Sequence, residues 1–164
     1  MRTVETGVIR DAVKQLCIDS NYYLPEDVKK ALEQSITKEE SPIGKEILQD
    51  IVKNAEIAAR GGVAICQDTG FAVFFIELGQ EVSLIGGNFT EAVNEGVRLG
   101  YREGYLRKSI VNDPFYRRKN TSDNTPAIIH TFIVPGDRIK ITIAPKGGGS
   151  ENMSALAMLK PSDG

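Results

Sequence analysis

The hydrophobic period of this 164-residue chain changes at Gly61-Gly62, and that change limits the fold more than any other feature. Before it, apolar residues recur at helical spacing. Ile9, Ala12, Val13, Leu16 and Cys17 fall at i, i+3, i+4, i+7 and i+8 and share one helix face, so Cys17 is expected in the core. Pro25 with Glu26 and Asp27 suits a helix first turn, followed by Val28, Ala31, Leu32 and Ile36. Ser41-Pro42 opens a third helix carrying Ile43, Ile47, Leu48, Ile51, Val52 and Ala55, which Gly61-Gly62 closes.

After the change, short apolar runs bounded by glycine predict strands over residues 63–65 and 71–78. Thr90 is placed to cap a further helix reaching about Arg107, in which Gly96, Gly100 and Gly104 form one stripe. Each interior glycine costs a helix about 1 kcal/mol against alanine, so the stripe implies close approach of another backbone. Residues 111–126, with Arg117, Arg118, Lys119, Asn120, Asp123 and Asn124, read as a solvated polar loop. Residues 127–134 and 138–144, joined at Pro135-Gly136-Asp137, predict a hairpin, and Met153, Leu156, Ala157 and Leu159 a short helix beyond it. The expected class is α+β: a helical N-terminal region followed by a mixed, mainly antiparallel sheet with a packed helix, in a single domain over residues 1–164.

Composition removes several functions from consideration. The formal net charge is −2 with both signs interspersed, so no whole-protein field draws the chain to nucleic acid or anionic lipid. The longest apolar runs fall far short of the roughly 20 residues that span a bilayer, and no export signal is visible. Its two cysteines therefore point to a reducing cytoplasm without a structural disulfide.

Two segments concentrate chemistry. Lys146-Gly147-Gly148-Gly149-Ser150-Glu151-Asn152 is a glycine-rich loop between a predicted strand and a predicted helix, where N–H groups and one positive side chain can converge on an anion. The lysine precedes the glycines, so the segment is not a nucleotide P-loop, and a small carboxylate suits it better. Cys66-Gln67-Asp68-Thr69-Gly70 packs a thiol, an amide, a carboxylate and a hydroxyl into a turn after a short apolar run. Spacing alone leaves two readings open: a metal-competent Cys66, or an Asx-type turn with Cys66 as a packed hydrophobe. His130, the single histidine, reads as structural.

Residues 65–70 (ICQDTG) and 143–152 (IAPKGGGSEN) together resemble the paired signatures of the iron-sulfur-dependent class I fumarases and related tartrate dehydratase alpha subunits. The similarity continues through residues 95–109 and 125–130 and covers most of residues 40–160. The resemblance implies a hydro-lyase acting on a small dicarboxylate, either fumarate and malate or tartrate, with a [4Fe-4S] cluster held by three cysteines. Cys66 matches the first of those ligands. By the same resemblance Gln67 and Asp68 contact substrate, Asp68 assists proton movement and Arg107 pairs with a substrate carboxylate. Lys146, Gly147, Gly148, Gly149, Ser150, Glu151 and Asn152 then hold the other end of the substrate. The family's other two cysteine ligands follow the glycine-rich loop and have no counterpart here. The chain is thus expected to need a C-terminal segment or beta subunit, within a homo- or hetero-oligomer, and to be inactive alone. The alternative, from the residues alone, is a non-catalytic small-anion or phosphate-binding domain built on the loop from Lys146 to Ser150.

Overall fold

The computed structural model describes residues 1–149 and 153–163. It opens with a short strand, β1 (Arg2–Glu5), and three helices, α1 (Thr6–Tyr22), α2 (Glu26–Lys38) and α3 (Pro42–Gly61). Strands β2 (Phe71–Gly79) and β3 (Val82–Ile85) lead to helix α4 (Phe89–Glu103), then to β4 (Ile128–Val134) and β5 (Ile139–Lys146). A 3-10 turn over Pro161–Asp163 lies near the end of the described residues.

The three N-terminal helices form for local reasons. In α1, Ile9, Val13 and Cys17 are buried, Leu16 is half-buried and Ala12 faces solvent. Ser41 caps α3, its Oγ accepting from the Gly44 N–H at 3.3 Å, and Gly62 ends that helix in the left-handed region at φ 59°. Helix α2 buries no residue and lies against α3. The N-terminal region is not wholly helical, because Arg2–Glu5 pairs in parallel with Val82–Ile85. Four residues are too few to show a strand period beside the long α1 pattern.

The main sheet has the order β4-β2-β5, with β2 parallel to β4 and antiparallel to β5. The fold is α+β with mixed sheets, as expected. Within it, two of the three strand pairings among the described residues are parallel, because the expected hairpin does not form. Strands β4 and β5 flank β2, and their connection crosses its end. There Gly79 N–H donates to Arg138 O at 2.8 Å, Gln80 N–H to Val134 O at 2.8 Å and Glu81 N–H to Gly136 O at 3.0 Å. The turn chemistry at Pro135–Asp137 is that of a hairpin, but it spans two strand spacings, about 10 Å, instead of one.

Residues 63–65 are not a strand. Ile65 N–H donates to Asn21 O at 2.9 Å, and Asn54 Nδ2 donates to Ile65 O at 2.9 Å, so helices take up the backbone groups that a strand partner would need. Helix α4 is capped by Asn88 rather than Thr90, Asn88 Oδ1 accepting from the Glu91 N–H at 3.0 Å. It ends at Glu103 rather than near Arg107, where Tyr105 turns the chain at φ 49°. Residues 154–160 hold no helix, and Leu156, Met158 and Leu159 lie at the surface without the packed face that a short helix needs.

The core lies where α1 and α4 cover one face of β2: Ile9, Val13, Cys17, Val93, Val97 and Tyr101 meet Ala72, Phe74 and Ile76. The glycine stripe makes that meeting possible. A Cβ on Gly96 would come within 2.6 Å of Arg10 O and of Val13 Cγ1. On Gly100 it would lie 2.7 Å from Cys17 Cβ and 2.8 Å from Lys14 O. The stripe is used inside the fold, against α1.

Gly100→Ala is expected to lower unfolding free energy by about 1–3 kcal/mol in urea titrations, the usual cost of overpacking. Gly7→Ala, in α1 with nothing within 4 Å of the added methyl, is the control and should be neutral or stabilising by up to about 1 kcal/mol. Equal effects at the two positions would mean that the α1–α4 contact is not tight.

Candidate functional site

Residues 66–70 connect α3 to β2, and residues 146–149 leave β5, the antiparallel neighbour of β2. Register pairs Phe71 with Lys146, so the sheet itself brings the two chemical segments side by side. Asp68 joins them. Its Oδ1 accepts from the Gly70 N–H at 3.2 Å, closing an Asx turn, and its Oδ2 accepts from the Gly148 N–H at 3.0 Å. The approach demands glycine twice: a side chain at Gly70 (φ 61°) would run into the Lys146 carbonyl, and one at Gly147 would reach 2.7 Å from Asp68 Oδ2.

Cys66 is exposed and not in a disulfide. Its Sγ lies 3.3 Å from Gln67 Oε1 and accepts from the Asp68 N–H at 3.4 Å. The Asx turn of one reading is present, but the thiol is a surface group rather than the packed hydrophobe that reading placed there. Cys17 behaves oppositely: it is fully buried in the core, and burial pushes its thiol from 9.0 up to about 12. It is a packing residue, as its helix position implied.

Three residues given no supporting role from the sequence hold the segment in place. Tyr101, fully buried on α4, donates its hydroxyl to Thr69 O at 2.7 Å and to Gly70 O at 3.2 Å, and burial pushes its phenol upward. Asn124 is buried at φ 63°, a region asparagine tolerates. Its Nδ2 donates to Gly70 O at 3.0 Å and its Oδ1 accepts from the Ser109 N–H at 2.8 Å. Buried Thr69 donates its hydroxyl to Arg107 O at 2.8 Å. Together these bonds tie residues 66–70, 107–109 and 124 into one unit. The signals available were weak: Tyr101 sits beside the glycine stripe, and Asn124 is one polar residue in a polar loop. Asp123, Asn124 and Thr121 depart from the solvated reading of that loop, Asp123 by facing Arg98 at 3.8 Å and Thr121 by burying its Oγ1.

The structure therefore brings together Cys66, Gln67, Asp68, Lys146, Gly147 and Gly148, and sets the Arg107 backbone against the same turn. Arg107 is exposed. Lys146 Nζ donates to Gly147 O at 2.6 Å, and Gly149 is exposed just beyond. Ser150, Glu151 and Asn152 lie outside the described residues. His130 is an exposed strand residue stacked on Phe75 at 5.1 Å. No group of three His, Cys, Asp or Glu side chains among the described residues could hold a metal ion.

With this geometry in place, comparison with known proteins becomes decisive. Residues 10–164 match the family described as fumarate hydratase (Fumerase). The chain belongs to that family. It is 43% identical over 161 residues to the "Putative L(+)-tartrate dehydratase subunit alpha" of Methanocaldococcus jannaschii, a match covering 95% of this chain and 56% of the relative. It is 39% identical over 119 residues to the anaerobic class I fumarate hydratase of Escherichia coli K12, covering 72% of this chain and 22% of the relative. Against the L(+)-tartrate dehydratase subunit alpha of Escherichia coli UTI89 the identity is 29% over 143 residues, covering 86% and 47%. The chain spans about half the length of these tartrate dehydratase relatives and about a fifth of the fumarate hydratase.

Burial raises the pKa of two core groups, so stability falls at alkaline pH. The native Cys17 thiol keeps its proton to about pH 12, whereas an unfolded one loses it near 9.0. The stabilisation is complete below pH 9 and is lost as pH rises toward 12, by up to about 1.4 kcal/mol per unit for one proton. Tyr101 acts in the same direction above its ordinary 10.0. Urea titrations between pH 9 and 10 should show this slope, and Cys17→Ala should remove one proton's worth of it; an unchanged slope would contradict the burial argument.

Proposed function

We propose that this family member is a component of a hydro-lyase that reversibly adds water to a small dicarboxylate, with fumarate and malate as the favoured pair and tartrate next. The observation that carries the reading is the Asp68–Gly148 bond, which joins the cysteine turn to the glycine-rich loop, the two segments named by family resemblance. The names of the relatives support the substrate class.

The residues present fit part of a [4Fe-4S] cluster. Cys66 offers an exposed thiol with a backbone N–H directed at its sulfur. Cys17, buried and strongly protonated, is no ligand. The remaining ligands come, on this reading, from a C-terminal segment or a beta subunit, so the isolated chain is inactive. When bound, the cluster supplies a Lewis-acidic iron for the hydroxyl leaving group.

This chain's own residues do the binding and orientation. Asp68 uses one lone pair on each oxygen for backbone N–H groups, which leaves further acceptor sites on both oxygens for a substrate hydroxyl or water proton. Those two bonds also fix the carboxylate before substrate arrives, as proton movement at a stated atom requires. Gln67 adds an amide beside it. Arg107 presents a planar fork of donors suited to a carboxylate, and Lys146 with Gly147, Gly148, Gly149, Ser150, Glu151 and Asn152 takes the second carboxylate. A reducing cytoplasm suits the two free thiols.

A purely anion-binding role is less well supported. Gly148 N–H, which such a role would leave for the anion, already has a carboxylate partner.

The test joins this chain to the portion of the Methanocaldococcus jannaschii relative left outside the match. The joined protein, with a beta subunit of the same enzyme type, is loaded anaerobically with iron and sulfide and assayed on L-malate, fumarate and tartrate. Wild type should hold iron and convert one of these acids. Cys66→Ser should lose both, and Arg107→Lys should raise KM about tenfold to a hundredfold, the worth of one charged hydrogen bond. Iron content and turnover unchanged in Cys66→Ser would overturn the proposal.

A further inference from the structure

Strand alternation places Ala72, Phe74 and Ile76 of β2, Ile129 of β4 and Ile139, Ile141 and Ile143 of β5 on the core side beneath α1 and α4, and the residues between them on the opposite face. A sheet face that meets only water normally carries polar residues at those positions. Here the outward positions of β2 are Phe71, Val73 and Phe75, and those of β4 are Ile128, His130 and Phe132. Phe71 is 44% exposed, Phe75 43%, Ile128 42% and Phe132 54%. Register sets Val73 beside Ile128, Phe75 beside His130 and Glu77 beside Phe132, so the apolar residues form one continuous patch rather than scattered single ones. The Phe75 and His130 rings stack with planes 17° apart, an aromatic surface that the described residues leave exposed. Contiguous exposed patches of this kind mark interaction surfaces.

We propose that this face is the docking surface for the polypeptide corresponding to the rest of the dehydratase chain, the part of the Methanocaldococcus jannaschii relative outside the match. The identity of the occupant rests on the hydro-lyase reading. Three observations select it. The match takes in 95% of this chain but only 56% of that relative, so nearly half of the relative has to pack elsewhere. The patch is continuous with the candidate site, since Phe71 follows Gly70 directly and pairs with Lys146. A layer laid over it therefore also reaches the Cys66 turn. The charge is wrong for an ionic partner: Lys140, on the same face, is neutralised by Glu77 at 2.9 Å. Across β2 and β4 the face presents aromatic and aliphatic area, with Lys140, Thr142 and Lys146 of β5 as its polar edge, suited to an apolar helix or sheet layer.

Hydroxyl-radical footprinting of the chain alone and of the joined protein tests this. Oxidation of Phe75, His130 and Phe132 should fall several-fold in the joined protein, while Tyr116, 87% exposed in the loop between α4 and β4, stays reactive. The double variant Phe75→Lys with Phe132→Lys should abolish protection at His130 in the joined protein. The far-UV spectrum and melting temperature of the chain carrying these substitutions should stay close to wild type, because both side chains already point outward. Unchanged oxidation of all three residues in a folded joined protein would overturn the proposal. So would protection confined to the exposed Ile43, Ile47 and Ile51 on α3, or concentration-dependent protection in the chain alone, which would mean a second copy. Turnover is scored separately: protection without turnover sinks the catalytic reading alone, and turnover without protection sinks the docking surface alone.

Discussion

The close approach of α1 and α4 is the contact on which the rest of this structure depends. Gly96 and Gly100 let the backbone of α4 rest on Arg10, Val13, Lys14 and Cys17, and any larger residue would separate the helices. Joined, the two helices offer one continuous apolar surface, and β2 lays Ala72, Phe74 and Ile76 into it. The core is therefore an α1–α4 layer on one three-stranded sheet. Helices α2 and α3 contribute little to it, Ala55 and Ala58 being the buried positions of that pair.

That packing reaches the chemical segment through Tyr101. Its ring belongs to the core, whereas its hydroxyl meets the carbonyls of Thr69 and Gly70, and Asn124 shares the second of these. Buried carbonyl groups must find donors, and here the donors come from two distant parts of the chain. The Cys66–Gly70 turn is thus fixed from below by side chains and from the side by Asp68 reaching the Gly148 N–H. A rigid turn of this kind holds the thiol, amide and carboxylate toward solvent at one edge of the sheet, where a ligand and a second polypeptide can both arrive.

Much of this was legible in the sequence, and the rest for identifiable reasons was not. Helical periodicity located α1, α2 and α3, and the stripe of glycines announced a tight helix contact, because both are one-dimensional records of a repeating surface. The burial of Cys17 followed from its place in that repeat. Strand topology is not recorded this way. The segment 127–146 carries hairpin chemistry at Gly136, yet β2 lies between its arms, since the turn residues specify a reversal and not the distance it spans. Residues 63–65 look like a strand by composition but give their hydrogen bonds to Asn21 and Asn54. At the site, Cys66, Gln67, Asp68 and the glycines after Lys146 were named from their motifs, and the sheet register adds that the two motifs touch. Thr69, Tyr101 and Asn124 were missed because a supporting residue has no characteristic spacing from what it supports.

The central claim is that the Cys66–Gly70 turn and the loop after Lys146 form one carboxylate-binding site. Backbone amide shifts of the isotopically labelled chain, followed by NMR during titration with L-malate, address it directly. The account predicts that the amides of Gln67, Asp68, Arg107, Gly147 and Gly148 move together along one saturable curve, and that Asp68→Asn weakens that curve at both segments. Amides that move in one segment only, or along curves with different midpoints, would contradict a shared site.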